Sequence, residues 1–249
     1  MELYYEVHGT GHPVVLITGG ADTRNWKFIT PLLAKHCQVV AFDLHGAGKS
    51  PNPAGPFNYV EDLLSLIDFL GFDEVTLIGH SMGGQIAAEF ALNYPDRVST
   101  LIMIAPALNG FKYSQEFNDY IKEINAAAPD IDHMIEISLS APLYNVVMSS
   151  SNKDLMVQML RHHMTRMFEW PTYEMVWSQP PTNERLGDLT AKTLLLIGLE
   201  DSADNLRVAE YYENHSNTKV IRIPDVDHMV TFTHPEVLSD YITNFIQLN

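Results

Sequence analysis

The stretch Glu74-Val75-Thr76-Leu77-Ile78-Gly79-His80-Ser81-Met82-Gly83-Gly84-Gln85-Ile86-Ala87-Ala88-Glu89-Phe90-Ala91-Leu92 decides the fold. It opens on a short apolar run rich in β-branched residues and closes on a helical pattern. Between them lies G-x-S-x-G. Strand, G-x-S-x-G, helix is the setting of a nucleophile elbow, a sharp turn that lifts a serine hydroxyl off the sheet edge. Side chains at 79 and 83 would collide in such a turn, so glycine stands at both. The helix then begins at the serine, and its first N–H groups have no intrahelical partner. They point to where an oxyanion would form.

Outward from the elbow, buried strands and helices alternate. Val14-Val15-Leu16-Ile17, Gln38–Phe42, Val98–Ala105, Thr193–Ile197 and Lys219–Ile223 are apolar enough for strands covered on both faces. Leu3–Val7 reads as an edge strand. Helices are expected over Asn25–Lys35 (interrupted by Pro31), Tyr59–Leu70, Met82–Tyr94, Leu206–Tyr212 and Pro235–Ile246. Asn58 is placed to cap the second of these, and Gly71 to stop it. This alternation predicts an α/β protein with a mainly parallel central sheet flanked by helices.

One stretch breaks the rhythm. From Pro106 to about Thr190 no buried strand is evident, which is too long for an ordinary crossover. Helical patterns at Asn118–Ala128 and Lys153–Phe168 predict a helical cap, about residues 107–188, inserted into a single domain spanning 1–249. Seven of the eleven methionines fall between Met134 and Met175. Methionine adapts to irregular apolar space, so these residues suit the wall of an acyl pocket. About half are expected to serve only the cap's own packing.

Composition excludes several functions. The net charge is −16, from 31 acidic and 15 basic residues. A basic footprint for nucleic acid is missing, and anionic lipid surfaces are disfavoured. The single cysteine, Cys37, lies in an apolar run and suits the core. The first residues, Met1-Glu2-Leu3-Tyr4-Tyr5-Glu6, do not pattern as a secretory signal, and no apolar run is long enough to span a membrane. A soluble cytoplasmic protein acting on a small molecule is the expectation, with no nucleic-acid or membrane partner. No metal or cofactor is expected: neither H-x-H-x-D-H nor H-E-x-x-H occurs, and the adjacent His162 and His163 would point apart on a helix.

A serine hydroxyl needs a base, and the base an orienting acid. In parallel α/β sheets these collect at the carboxyl ends of strands. Gly198-Leu199-Glu200-Asp201 follows one late strand. Asp201 is the preferred acid, with Glu200 and Asp204 as competitors; at least two of the three are expected to be solvated loop acids. Pro224-Asp225-Val226-Asp227-His228 follows the next strand. His228 is the preferred base, His234 reads as a cap or surface residue, and His80 cannot turn toward Ser81. The order Ser81, Asp201, His228 is that of strand–elbow–helix hydrolases. The oxyanion donors are expected at the backbone N–H of Met82 and, in the loop Thr18-Gly19-Gly20-Ala21, of Gly20.

These motifs together resemble the α/β-hydrolase family, over nearly the whole chain and most weakly in the cap. Asp43-Leu44-His45-Gly46-Ala47-Gly48-Lys49-Ser50 resembles the family's structural D-x-x-G-x-G-x-S turn. Gly198-Leu199-Glu200-Asp201 resembles its G-x-x-D acid loop, which favours Asp201 over Glu200. Asp227-His228 stands where the family has Gly-His, a departure expected to be harmless. Thr18-Gly19 stands where it has His-Gly, which leaves a hydroxyl in place of an imidazole. The resemblance implies an eight-stranded sheet and a triad under the cap. The reading is a serine hydrolase for a carboxylic ester or lactone of a small, largely apolar substrate. Alternatives are a ligand-binding or sensor protein, or a lyase, on the same scaffold. Family members that open epoxides use Asp as nucleophile, whereas residue 81 is Ser.

Overall fold

The computed structural model describes residues 2–247. The strands are β1 (Tyr5–His8), β2 (Pro13–Thr18), β3 (Gln38–Phe42), β4 (Val75–His80), β5 (Val98–Ile104), β6 (Lys192–Gly198) and β7 (Thr218–Ile223). The helices are α1 (Thr30–Leu33), α2 (Tyr59–Phe69), α3 (Met82–Asn93), α4 (Gln115–Ala126), α5 (Ile131–Ser140), α6 (Asn145–Met148), α7 (Lys153–Met167), α8 (Ala203–His215), α9 (Val230–Thr233) and α10 (Pro235–Gln247).

The strands lie in the order β1-β3-β2-β4-β5-β6-β7. All neighbours run parallel except the antiparallel edge pair β1–β3. Among the described residues the sheet therefore has seven strands, not the eight implied by the resemblance. Just before β1 the pairing with β3 runs on, as Asp43 N–H donates to the Tyr4 carbonyl, while Tyr4 N–H donates to Ser50 Oγ.

Strand side chains alternate between two apolar layers, as the two-residue period requires. Val15, Ile17, Leu77, Leu101, Leu195 and Ile197 meet α2, α3 and α8. Val14, Leu16, Ile78, Ile102, Leu194 and Leu196 meet α1 and α10. β4 is buried along its whole length, which explains why its sequence shows no polar alternation. Pro31 sits in the first turn of α1, so the stretch 25–35 breaks into a 3-10 turn (Thr23–Trp26) and a short helix. Asn58 accepts from Val60 N–H and caps α2; Gly71, at φ +71°, ends it.

The D-x-x-G-x-G-x-S turn is closed by its own ends. Asp43 accepts from Thr23 N–H at 2.7 Å and Lys49 N–H at 2.8 Å, and Ser50 Oγ donates to the Asp43 carbonyl at 2.6 Å. Between β5 and β6 the chain is helical, with α4 to α7 lying over the carboxyl ends of the strands; this layer is termed the cap. An isolated bridge, Phe57 to Met175, ties its return segment to the body. Helix α5 is not among the elements expected from the sequence, although Ile131, Met134 and Ile135 follow a helical period. Cys37 is buried, and burial pushes its thiol up to about 11.

Candidate active site

Ser81 joins β4 to α3 at φ 57° and ψ −124°, a backbone that L-residues rarely adopt. The turn is pinned from both sides. Ser81 N–H donates to the Ile104 carbonyl at 3.0 Å, and Ala107 N–H donates to the Ser81 carbonyl at 3.1 Å. A Cβ on Gly79 would lie 2.2 Å from the Gly83 carbonyl oxygen. One on Gly83 would lie 2.2 Å from the Ile17 carbonyl oxygen. The first clash is inside the turn, and the second is against β2. Met82 opens α3, so its N–H has no carbonyl one turn back. Gly20, at φ +72°, lies after β2 on the same cavity as Ser81.

The loops after β6 and β7 are bound to each other, and this sets the acid–imidazole distance. Leu199 N–H donates to the Ile223 carbonyl and Glu200 N–H to the Val226 carbonyl, both at 2.9 Å. A Cβ on Gly198 would stand 2.0 Å from the Val226 carbonyl oxygen, so only glycine permits this approach. Asp201 Oδ2 then meets His228 Nδ1 at 2.9 Å. Asp201 Oδ1 accepts from Ser202 N–H and from the Asn205 amide, each at 2.7 Å. The Asn205 amide also lies 3.2 Å from His228 Nδ1. Both carboxylate oxygens are therefore engaged, as a buried carboxylate requires. Burial opposes charge on His228, but Asp201 beside it, with Asp227 behind, raises its pKa above the ordinary histidine value. With Nδ1 on Asp201, Nε2 is the nitrogen left to handle a proton.

Ser81, His228 and Gly20 line one cavity of about 270 Å³. Its roof is the cap, through residues such as Met134, Met156, Met159 and Met164. The structure thus brings the five sequence-predicted positions, Ser81, Asp201, His228, Gly20 and Met82, to one end of the sheet. Glu200 is exposed. Asp204 is a buried helix residue instead of a solvated loop acid. It accepts from Ser114 N–H at 2.9 Å and from Ser114 Oγ at 2.5 Å, fixing the start of α4. The sequence reading missed this because α8 begins at Ala203, three residues before its apolar period.

Asp227 has a role that the sequence does not show. It is fully buried, and its carboxylate accepts from Val147 N–H of α6 at 2.8 Å and from Met229 N–H at 3.0 Å. Burial raises its pKa, while those N–H groups hold it back. The histidine loop is also tied to the cap by His228 N–H, which donates to the Leu143 carbonyl at 3.1 Å. A glycine at 227 would leave the Val147 N–H without this acceptor, so the departure from Gly-His has a structural role. His80 Nε2–H donates to the His228 carbonyl at 2.8 Å, and burial together with nearby His228 lowers its pKa to about 3. It is a neutral prop beneath the histidine loop. Asn205 and His80 were visible in sequence only as an unremarkable helix residue and an elbow residue. Thr18 is buried, and its Oγ1 has no partner among the described residues. His234 ends α9 and contacts Thr233 Oγ1. His162 meets the Gly48 carbonyl while His163 lines the cavity, so the two do point apart.

The family model of the alpha/beta hydrolase fold matches residues 12–235. The chain belongs to the α/β-hydrolase family. It is 26% identical over 206 residues to a 2-hydroxy-6-oxo-2,4-heptadienoate hydrolase of Pseudomonas putida, a match covering 78% of this chain and 73% of that one. It is 36% identical over 107 residues to a putative carbamate hydrolase, RutD, of Azorhizobium caulinodans, covering 41% of this chain and 40% of that one. The structure of MenH from S. aureus superposes with a TM-score of 0.81 at 20% identity, covering 98% and 97% of the two chains. At that identity the likeness is one of fold. No helix among the described residues is long and apolar enough to cross a membrane.

Proposed function

We propose that the chain is a serine hydrolase cleaving a carboxylic ester or lactone of a small, largely apolar, uncharged substrate. Ser81 Oγ attacks the carbonyl carbon while His228 Nε2 takes its proton. Asp201 holds the imidazole with Nδ1–H toward the carboxylate and stabilises the imidazolium. The N–H groups of Met82 and Gly20 receive the oxyanion. His228 then protonates the leaving alkoxide, the acyl group stays on Ser81, and water activated by His228 releases the acid. The cap roof encloses the acyl chain. A solvated surface-patch role for Ser81 is disfavoured by its strained backbone, since such strain persists where surrounding structure enforces it.

The observation that carries the reading is the buried Asp201–His228 pair facing the cavity that Ser81 lines. The heptadienoate named for the Pseudomonas relative is a carboxylate, and carbon–carbon hydrolysis could use the same three side chains. Among the described residues, however, no Lys or Arg lines this cavity. A buried carboxylate without a cationic partner is costly, which favours a neutral ester. The test pairs a fluorophosphonate probe with short p-nitrophenyl esters. The wild-type protein is expected to gain the probe's mass at Ser81 and to hydrolyse the esters. Ser81→Ala is expected to lose both while keeping its melting temperature, with a rate loss on the order of a millionfold. Ester turnover that persists in Ser81→Ala would overturn the reading.

A further inference from the structure

His163 comes from the cap helix α7 and lines the cavity that holds Ser81. It makes no hydrogen bond among the described residues, and its Nδ1 is closed off from solvent without a partner. A buried bare lone pair is better tolerated than a buried N–H without an acceptor. The ring proton therefore belongs on Nε2, the ring nitrogen that is not enclosed. The cavity also receives Asn25, which is fully buried. Its amide oxygen accepts from Thr231 Oγ1 at 3.3 Å, and its amide nitrogen has no partner. The lining also includes apolar Met156, Met159, Met164 and Leu160, beside polar Asn125 and Tyr144. A fold that needed only apolar space there would place Leu or Met at 163, because an unsatisfied polar group costs stability.

We propose that His163 forms a neutral polar subsite for an uncharged hydrogen-bond acceptor on the substrate, such as a keto, ether or amide oxygen distant from the scissile carbonyl. The proposal rests on the serine-hydrolase reading for the identity of that carbonyl. Burial lowers the His163 pKa to about 4, so the ring is neutral at physiological pH and acts as a dipole. A carboxylate in place of the neutral oxygen would find no cation and would be rejected. The substrate class is thereby narrowed from any apolar ester to an ester or lactone with an oxygenated, uncharged chain.

The experiment measures binding, which does not depend on turnover. In the Ser81→Ala background, Kd is measured by ligand-observed NMR titration for methyl hexanoate, methyl 5-oxohexanoate and the monomethyl ester of adipic acid. The oxo ester is expected to bind about fivefold more tightly than the alkyl ester, as one net hydrogen bond allows. The carboxylate is expected to bind most weakly. Adding His163→Leu should bring the oxo and alkyl Kd values together, and His163→Gln should restore part of the difference. Equal Kd values before His163 is changed, or a preference that survives His163→Leu, would overturn the subsite. Failure of the serine-hydrolase reading would register separately, as missing probe labelling and ester turnover in the wild-type protein.

Discussion

The floor of the cavity and its roof are built on opposite principles. The floor is backbone against backbone: Gly79, Gly83 and Gly198 each stand where a Cβ would come within 2.2 Å or less of a carbonyl oxygen. Its charged group is fully hydrogen-bonded, with Asp201 held by Ser202, Asn205 and His228. The roof is side chain against side chain. Met156 and Met159 belong to one small apolar cluster and Met134 and Met164 to another, both apart from the two large core layers. Its polar groups include one that nothing in the protein satisfies, His163 Nδ1. The contrast fits a division of labour. Bond-making steps lose rate steeply when groups shift by an ångström, so the floor is rigid. Recognition of a chain tolerates adjustment, and methionine supplies it.

The largest effect is expected where the floor's chemistry is altered without its shape. Asp201→Asn keeps the volume and can still contact Asn205 and Ser202, but it no longer holds His228 in the tautomer with a proton on Nδ1. The turnover of a short p-nitrophenyl ester should fall by about ten-thousandfold. Circular dichroism and melting temperature should stay near wild type. A loss below about tenfold would remove Asp201 from the proposed mechanism and reopen the choice of acid.

An intermediate effect is expected at the seam between the two regions. Asp227→Gly removes the acceptor for Val147 N–H on the cap and for Met229 N–H on the histidine loop. Leaving a buried donor unsatisfied costs about 1–3 kcal/mol, readable in denaturant unfolding. The same change removes a negative charge near His228. Burial lowers the His228 pKa, but Asp201 and, to a smaller degree, Asp227 raise it, and the net shift is upward from the ordinary histidine value. The base acts when neutral, so kcat/KM rises as pH passes that pKa. Loss of the Asp227 charge should therefore move the acid limb of the profile to lower pH. Asp227→Asn should move the limb the same way, while an unmoved limb in both variants would confine Asp227 to holding the cap.

How much of this was legible in sequence follows the same division. The elbow, the parallel strands and the loops bearing Asp201 and His228 announce themselves because each depends on local features. These are a buried β-branched run, a glycine where no Cβ fits, and a titratable residue at a strand's carboxyl end. The contacts of Asp227 and Asp204 span long separations: Asp227 reaches Val147 and Asp204 reaches Ser114. No periodicity encodes such pairs. Asp227 was noticed as a departure from Gly-His, but its consequence needed the position of α6. In the cap, methionine content pointed to a roof over the site, yet helix α5 and the inward turn of His163 are set by tertiary packing.

The smallest expected effect lies in the roof itself. Met159 is almost completely buried, lines the cavity and packs with Met156 and Met229. Leucine has nearly the same volume, so Met159→Leu should cost less than about 1.5 kcal/mol in stability. What changes is adaptability: an unbranched side chain with three rotatable bonds becomes a branched one with two. The floor is untouched, so turnover of the best acyl chain should survive, but the range of chains accepted should narrow. The measurement is kcat/KM across p-nitrophenyl esters from acetate to decanoate, for wild type, Met159→Leu and Met156→Leu. A profile equally broad in all three would mean that the roof's methionines only pack the cap. Chain selection would then have to lie in the fixed shape of the floor.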